Sequence, residues 1–218
     1  MKNYSIKSAV LFTALLLFVT GIFAQVDNVD TGLWNDVQLT KPINKHLDVV
    51  GGIRFDTKKD TSRFAEQRLY FGVNLKRGNF AVQPTLVVLR NFARVPYFEY
   101  RPQVLVSYKI KADKTITITP KVRAEYHFKQ GIKNDWRVVP IITIEKKLNK
   151  KYSLFNTDEF WVSNNGNDVA QFRKRLFFGV TRSVNKSLAI DFFYLYQRDE
   201  QVSPKNHHKL GLTWKVRL

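Results

Sequence analysis

Cysteine is absent from the 218 residues, which excludes disulfide bonds, thiolate metal sites and cysteine nucleophiles. Acidic residues are few, because 18 Asp and Glu accompany 36 Lys and Arg and leave a formal net charge of +18. Beyond residue 24 there is no apolar run of the roughly 18 residues that a transmembrane helix needs. Aromatic side chains, in contrast, make up 14% of the chain, which is too many for a disordered protein. The composition therefore indicates a folded and strongly basic protein.

The first residues have the pattern of a secretory signal peptide. Two lysines precede an apolar run from Ala9 to Val19, and Ala24 supplies a small residue at a cleavage point. A transmembrane anchor is the alternative, but the run is too short to cross a hydrocarbon core of about 30 Å. We therefore expect residues 1–24 to be removed and residues 25–218 to form one domain.

Alternation of apolar and polar residues runs through the rest of the chain. Between Thr115 and Phe128 the even positions are mostly apolar and the odd positions are polar or charged. The same period recurs in eleven segments, about 31–40, 46–56, 63–76, 80–92, 98–110, 115–128, 136–147, 151–162, 170–183, 187–198 and 208–218. Soluble strands usually have about 5–6 residues, whereas a membrane-crossing strand needs about 9–11. The pattern predicts an all-β protein, an antiparallel up-and-down transmembrane β-barrel with lipid outside and a polar lumen.

The connections between these segments alternate between short and long. Short Asn-, Asp-, Gly- and Lys-containing turns lie at 42–45, 76–79, 111–114, 148–151 and 184–186. Longer polar connections lie at 56–63, 91–98, 129–135, 163–170 and 199–207. Outer-membrane barrels have this asymmetry and normally an even number of strands. We therefore predict about twelve strands, with residues 25–31 adding a short one, and keep ten as the alternative.

Aromatic residues near the strand ends predict interfacial girdles. The residues concerned are Trp34, Tyr97, Tyr126, Trp136, Trp161 and Tyr194.

Several short motifs carry a resemblance to a known family. In chain order they are Leu33-Trp34, Glu66-Gln67-Arg68, Arg101-Pro102, Asp158-Glu159-Phe160, Phe172 to Gly179, Tyr194 to Arg198 and His208 to Leu212. In this order they resemble the DUF2490 family of uncharacterised predicted outer-membrane proteins from Bacteroidetes-like bacteria. The resemblance implies a barrel in the outer membrane of a Gram-negative bacterium, and it carries over no catalytic residues. Leu218 departs from the Phe or Trp that often ends such barrels, although the alternation before it fits an assembly signal.

Charged residues on the predicted inner face form the candidate site. They are Arg54, Glu66, Arg68, Arg101, Lys121, Arg123, Glu125, His127, Arg173, Arg175, Asp191, Lys215 and Arg217. We favour a network in which acids and bases fill a narrow lumen, because small barrels are commonly packed by their own side chains. The alternative is a basic lumen that attracts small anionic solutes.

The sequence predicts an outer-membrane barrel with a structural or small-solute role, without catalytic residues, cofactors or metal ions. An enzyme is the less favoured interpretation: a lipid hydrolase resembling phospholipase A barrels would use His127, which we expect beside Glu125. A second alternative is a periplasmic lipocalin-like binder with apolar residues inside. Expected partners are outer-membrane lipid and, through the C-terminal strand, the barrel assembly machinery. Nucleic acid is not expected, because the basic residues are dispersed and form no recognition motif.

Overall fold

The computed structural model of the protein describes residues 29–58, 63–92, 96–131, 133–164, 169–200 and 203–218. The predicted signal peptide, residues 1–24, and most of the predicted extra strand at 25–31 lie outside these ranges. Every regular element within them is a β-strand. No helix among these residues is long and apolar enough to cross a membrane.

Eleven long strands and one two-residue strand make up the structure. In chain order they are β1 Val29–Pro42, β2 Leu47–Lys58, β3 Arg63–Arg77, β4 Phe80–Asn91, β5 Tyr97–Tyr108, β6 Ile110–Lys111, β7 Ile116–Lys129, β8 Asp135–Lys147, β9 Tyr152–Asn164, β10 Val169–Ser183, β11 Leu188–Asp199 and β12 Asn206–Arg217. The long strands have 12 to 15 residues, which is enough to cross a membrane at a tilt. Strand β6 continues β5 after Lys109 and pairs with the same neighbour, β7.

Each long strand pairs antiparallel with the next long strand along the chain, and β1 pairs with β12 to close the sheet into a barrel. The closing pair is parallel, with a continuous register from Val29 opposite Asn206 to Thr40 opposite Arg217. The all-β barrel is confirmed, and the twelfth strand among the described residues is the short β6. Because the wall has eleven long strands that alternate in direction, the first and last run the same way and the barrel is not antiparallel throughout.

The two faces of the wall differ as the alternation predicts. Val122 is 48% exposed on the outside, whereas Lys121 points into the barrel. Large apolar side chains are exposed all around the wall, including Leu39, Phe55, Leu69, Phe71, Leu86, Tyr100, Val104, Val122, Phe128, Ile142, Phe178 and Trp214. A lipocalin-like binder would have the opposite arrangement, so this orientation excludes that alternative.

Asx turns hold the short connections in shape. The Asn44, Asn149 and Asn185 side-chain oxygens each accept a hydrogen bond from the backbone N–H two residues further on. In the β6–β7 turn Asp113 accepts hydrogen bonds from the backbone N–H groups of Thr115 and Ile116. We call the end of the barrel that carries these turns the short-turn end and the opposite one the long-loop end.

The interior contains apolar clusters as well as charges. Trp34, Phe193 and Leu195 pack together with Phe155 and Phe177. A second cluster consists of Val139, Ile141 and Trp161, with Leu105 packed against it. An eight-stranded barrel is just filled by side chains, so the wider eleven-stranded wall needs these bulky residues to fill its middle.

Candidate functional site

The thirteen predicted residues occur at inward-facing positions of seven strands, but they do not form one group. Nine of those between Arg54 and Arg175 come together in or near the middle, whereas Lys121 lies toward the short-turn end. Asp191 and Lys215 form a separate ion pair, 2.6 Å between Oδ2 and Nζ. Arg217 is exposed at the short-turn end. A functional role for these residues stays a prediction.

His127 is the most enclosed member of the central group, with a relative exposure of 0%. Its Nε2 lies 2.9 Å from a Glu125 oxygen, and its Nδ1 lies 2.7 Å from a Glu99 oxygen. Asp135 adds a third carboxylate, 3.7 Å from Nδ1. Carboxylates therefore lie on both sides of the imidazole ring. The expected Glu125–His127 contact is present, but it faces the interior and not the lipid-facing wall that a phospholipase-type barrel would use.

Pairs of opposite charge two residues apart recur on four inward faces. Because side chains two apart on a strand point the same way, one strand can supply both partners. The pairs are Glu66–Arg68 on β3, Glu99–Arg101 on β5, Arg123–Glu125 on β7 and Asp135–Arg137 on β8. Arg101 also lies 3.6 Å from Glu125, which links β5 to β7.

Other ion pairs join different strands and include residues that the sequence analysis did not select. Arg54 on β2 contacts Asp36 on β1 at 2.8 Å, and the Tyr70 hydroxyl donates to the same carboxylate. Arg173 on β10 contacts Asp199 on β11 at 2.5 Å. The Lys209 ammonium on β12 donates to Asp56 on β2, across the intervening strand β1. Asp56, Asp199 and Lys209 have the same strand parity as predicted residues of their strands, so the same alternation could have identified them.

Two tryptophans lie inside the barrel, where they stack with arginines. Trp161 is 1% exposed and Trp34 is 5% exposed, so their predicted positions in interfacial girdles are wrong. The Arg175 guanidinium lies 4.6 Å from the Trp161 ring centre and 5.5 Å from that of Trp34. Arg123 and Arg173 each lie 5.1 Å from Trp161. Cation–π contacts of this kind gain strength away from water, which explains why large aromatic rings occupy a charged interior.

The other four residues predicted for the girdles are either exposed on the outer face or half-buried. Trp136 and Tyr126 are exposed on the outer face at 36% and 41%, as a girdle requires. Tyr194 is half-buried and its hydroxyl contacts His208, while Tyr97 is half-buried at the start of β5.

Arg175 and its neighbours separate the two ends of the lumen. At the long-loop end a cavity of about 560 Å³ has acids and bases in its lining, among them Asp56, Glu66, Arg175 and Lys209. At the short-turn end a cavity of about 510 Å³ has lysines and hydroxyl groups in its lining. Between them remains a space of only about 190 Å³ beside Trp34 and Arg175. The lumen is therefore wide at both ends and constricted in the middle.

His46 and His207 have neighbours of their own, outside the group around His127. No group of three or more His, Asp or Glu side chains there has an arrangement that could hold a metal ion. His46 lies in a turn, with its ring Nδ1 3.1 Å from the Lys76 carbonyl oxygen. His207 faces Asp30 at 3.6 Å, at the long-loop end.

Fold and interior together define a closed β-barrel whose middle is filled by its own aromatic and charged side chains. A comparison with protein families matches residues 31–208 to the family described as protein of unknown function (DUF2490). The match covers most of the chain, and the protein belongs to this family. A comparison with curated proteins gives no match.

Proposed function

We propose that the protein is an occluded outer-membrane β-barrel, a structural membrane protein rather than an open pore. The observation that carries this proposal is the combination of an apolar outer wall with a middle closed by Arg175, Trp34 and Trp161. The mature chain is the part after the predicted signal peptide, and its compartment is the outer membrane of a Gram-negative bacterium.

The outer surface supports insertion into lipid. Apolar side chains around the wall are exposed by a third to two thirds, for example Phe71 at 64% and Phe178 at 60%. In water such a belt would expose far more contiguous apolar surface than soluble monomers tolerate. Barrel closure satisfies the backbone groups of every strand, which is the requirement for a protein in hydrocarbon.

A basic collar at the short-turn end supports contact with anionic headgroups. It consists of twelve exposed side chains on the turns and adjoining strand ends: Lys41, Lys45, Arg77, Lys111, Lys114, Lys146, Lys147, Lys150, Lys151, Arg182, Lys186 and Arg217. Short turns of outer-membrane barrels face the periplasm, where the collar would meet the phosphate groups of the inner leaflet. Juxtamembrane basic residues gain about 1 kcal/mol each from such a surface. The partner at this end is therefore anionic membrane lipid. The C-terminal strand β12 is the one that the barrel assembly machinery would bind.

A first experiment tests the compartment. The full chain is expressed in a Gram-negative host, and membranes are separated and run on SDS gels with and without heating. We expect recovery in the outer-membrane fraction and migration that changes on heating. A soluble, monomeric mature chain in the periplasm would overturn the proposal.

A second experiment tests the occlusion. Residues 25–218, refolded into a planar bilayer, should insert without a steady current. The double variant Trp161→Ala/Arg175→Ala removes the side chains that separate the two ends and should conduct. Trp136→Ala removes a tryptophan from the outer face and should give no steady current. This variant controls for the loss of an aromatic residue as such. A steady current from the unaltered chain would show an open pore and contradict the proposal.

A further inference from the structure

The cavity at the short-turn end, which we call the cup, is a second feature of the interior with its own chemistry. Its lining comes from nine strands and contains four lysines, Lys76, Lys109, Lys121 and Lys215. Five hydroxyl side chains also line it: Ser107, Thr119, Thr143, Thr157 and Thr181. Its volume of about 510 Å³ lies within the range of small-molecule sites.

Two of the four lysines have a carboxylate partner. The Lys76 ammonium lies 2.6 Å from Asp48 Oδ1. Lys215 lies 2.6 Å from Asp191, whose other oxygen accepts a hydrogen bond from the Thr181 hydroxyl at 2.7 Å. These contacts neutralise the two charges and fix the walls of the cup.

The other two lysines have no such partner. Within the described residues, neither Lys109 nor Lys121 makes an ion pair within 4.0 Å. Lys121 is half-buried, and the charges of Lys215, Arg123 and Lys109 all act on it, with Glu159 as the opposing charge. Like charges gathered in a partly enclosed space repel each other, and a bound anion relieves that repulsion.

We propose that the cup binds a small, soluble, phosphate-bearing anion. Ammonium groups bind phosphate as point charges, and the Ser107 and Thr119 hydroxyls in the same lining can donate to oxygens of a tetrahedral anion. The basic collar around the same end raises the local concentration of anions and guides them to the cup. The inference depends on the fold of the barrel and goes beyond the proposed function, so either can fail without the other.

Glu145 allows a test of whether the ligand of the cup is negatively charged. It lines the same cavity, is exposed, and carries the one acidic charge of the lining apart from Asp191. Because a carboxylate repels an anion, Glu145→Gln should tighten binding, whereas loss of lysine charge should weaken it.

The experiment is calorimetric titration of the refolded mature barrel with inorganic pyrophosphate at low ionic strength. Lys109→Gln/Lys121→Gln should weaken binding by at least about tenfold, since two charge-assisted contacts are lost. Lys150→Gln removes a collar charge that does not line the cup, and it should change the affinity by less than about twofold. Heat-dependent gel migration of each variant checks that the barrel is folded.

The outcomes that would overturn the inference are equally specific. Absence of binding by the unaltered barrel, or equal weakening in Lys150→Gln and in the double variant, would leave the cup without a role. A repeat in micelles that contain phosphatidylglycerol separates the sources of phosphate. Unchanged pyrophosphate binding supports a soluble ligand, whereas competition by the lipid would show a headgroup site and overturn the assignment.

Discussion

The ion pairs around His127 predict a large effect from one conservative substitution, Glu125→Gln. The Glu125 side chain is buried, accepts a hydrogen bond from Arg123 and lies 2.9 Å from His127 and 3.6 Å from Arg101. Glutamine keeps the shape but removes the negative charge beside Arg123, Arg101 and the His127 ring. Removing one member of a buried ion pair typically costs about 3–5 kcal/mol, and we expect a loss of free energy of unfolding in that range.

Urea unfolding of the mature barrel in lipid vesicles, followed by tryptophan fluorescence, measures this loss. The matched control is Glu145→Gln, the same substitution at an exposed position, which should change the free energy of unfolding by less than about 1 kcal/mol. Equal stabilities of the Glu125 and Glu145 variants would refute the claim that the buried charges depend on one another.

Two further predictions concern packing and pH. The Phe193 ring occupies the place of a Cβ at Gly211, so Gly211→Val should lower the free energy of unfolding by about 1–3 kcal/mol; an unchanged urea midpoint would contradict this. Hydrogen bonds from the Thr115 and Ile116 backbone N–H groups lower the pKa of the Asp113 carboxyl in its exposed turn. The ionised form therefore stabilises the fold at neutral pH, and the contribution is lost as the pH falls through the lowered pKa. The stability difference between the unaltered chain and Asp113→Asn, measured by urea unfolding, should shrink in acid, and a difference that does not vary with pH would contradict the assignment.

Alternation predicted the faces of the strands well because it follows directly from backbone geometry. Lys121 and Val122, or Arg123 and Ala124, must point to opposite sides of any β-sheet, and the charged set could therefore be assigned to the interior. The same rule does not say which strands meet around a barrel. The sequence shows eleven segments, but it does not show how the first and the last of them meet. The parallel β1–β12 pair forms when the barrel closes between distant parts of the chain.

The girdle prediction is wrong for Trp34 and Trp161 because it depends on residue type. Their positions in the alternation indicate the interior instead. Trp34 and Trp161 were assigned to interfaces because tryptophan is common there. Yet Trp34 stands two residues before Asp36, and Trp161 stands two residues after Glu159, so each shares a face with an inward carboxylate. Arginines that stack with them lie on other strands, among them β7 and β10, so this stacking has no local sequence signal.

The orientation of the wall is the central claim, and site-directed spin labelling tests it most directly. The chain has no cysteine, so Val122→Cys and Lys121→Cys can each carry one nitroxide in vesicles of the refolded barrel. We predict that lipid-dissolved oxygen relaxes the label at position 122 strongly, and that a water-soluble nickel complex relaxes the label at 121 in preference. The reverse pattern, or equal contact of both labels with water, would contradict a lipid-facing apolar wall around a charged interior.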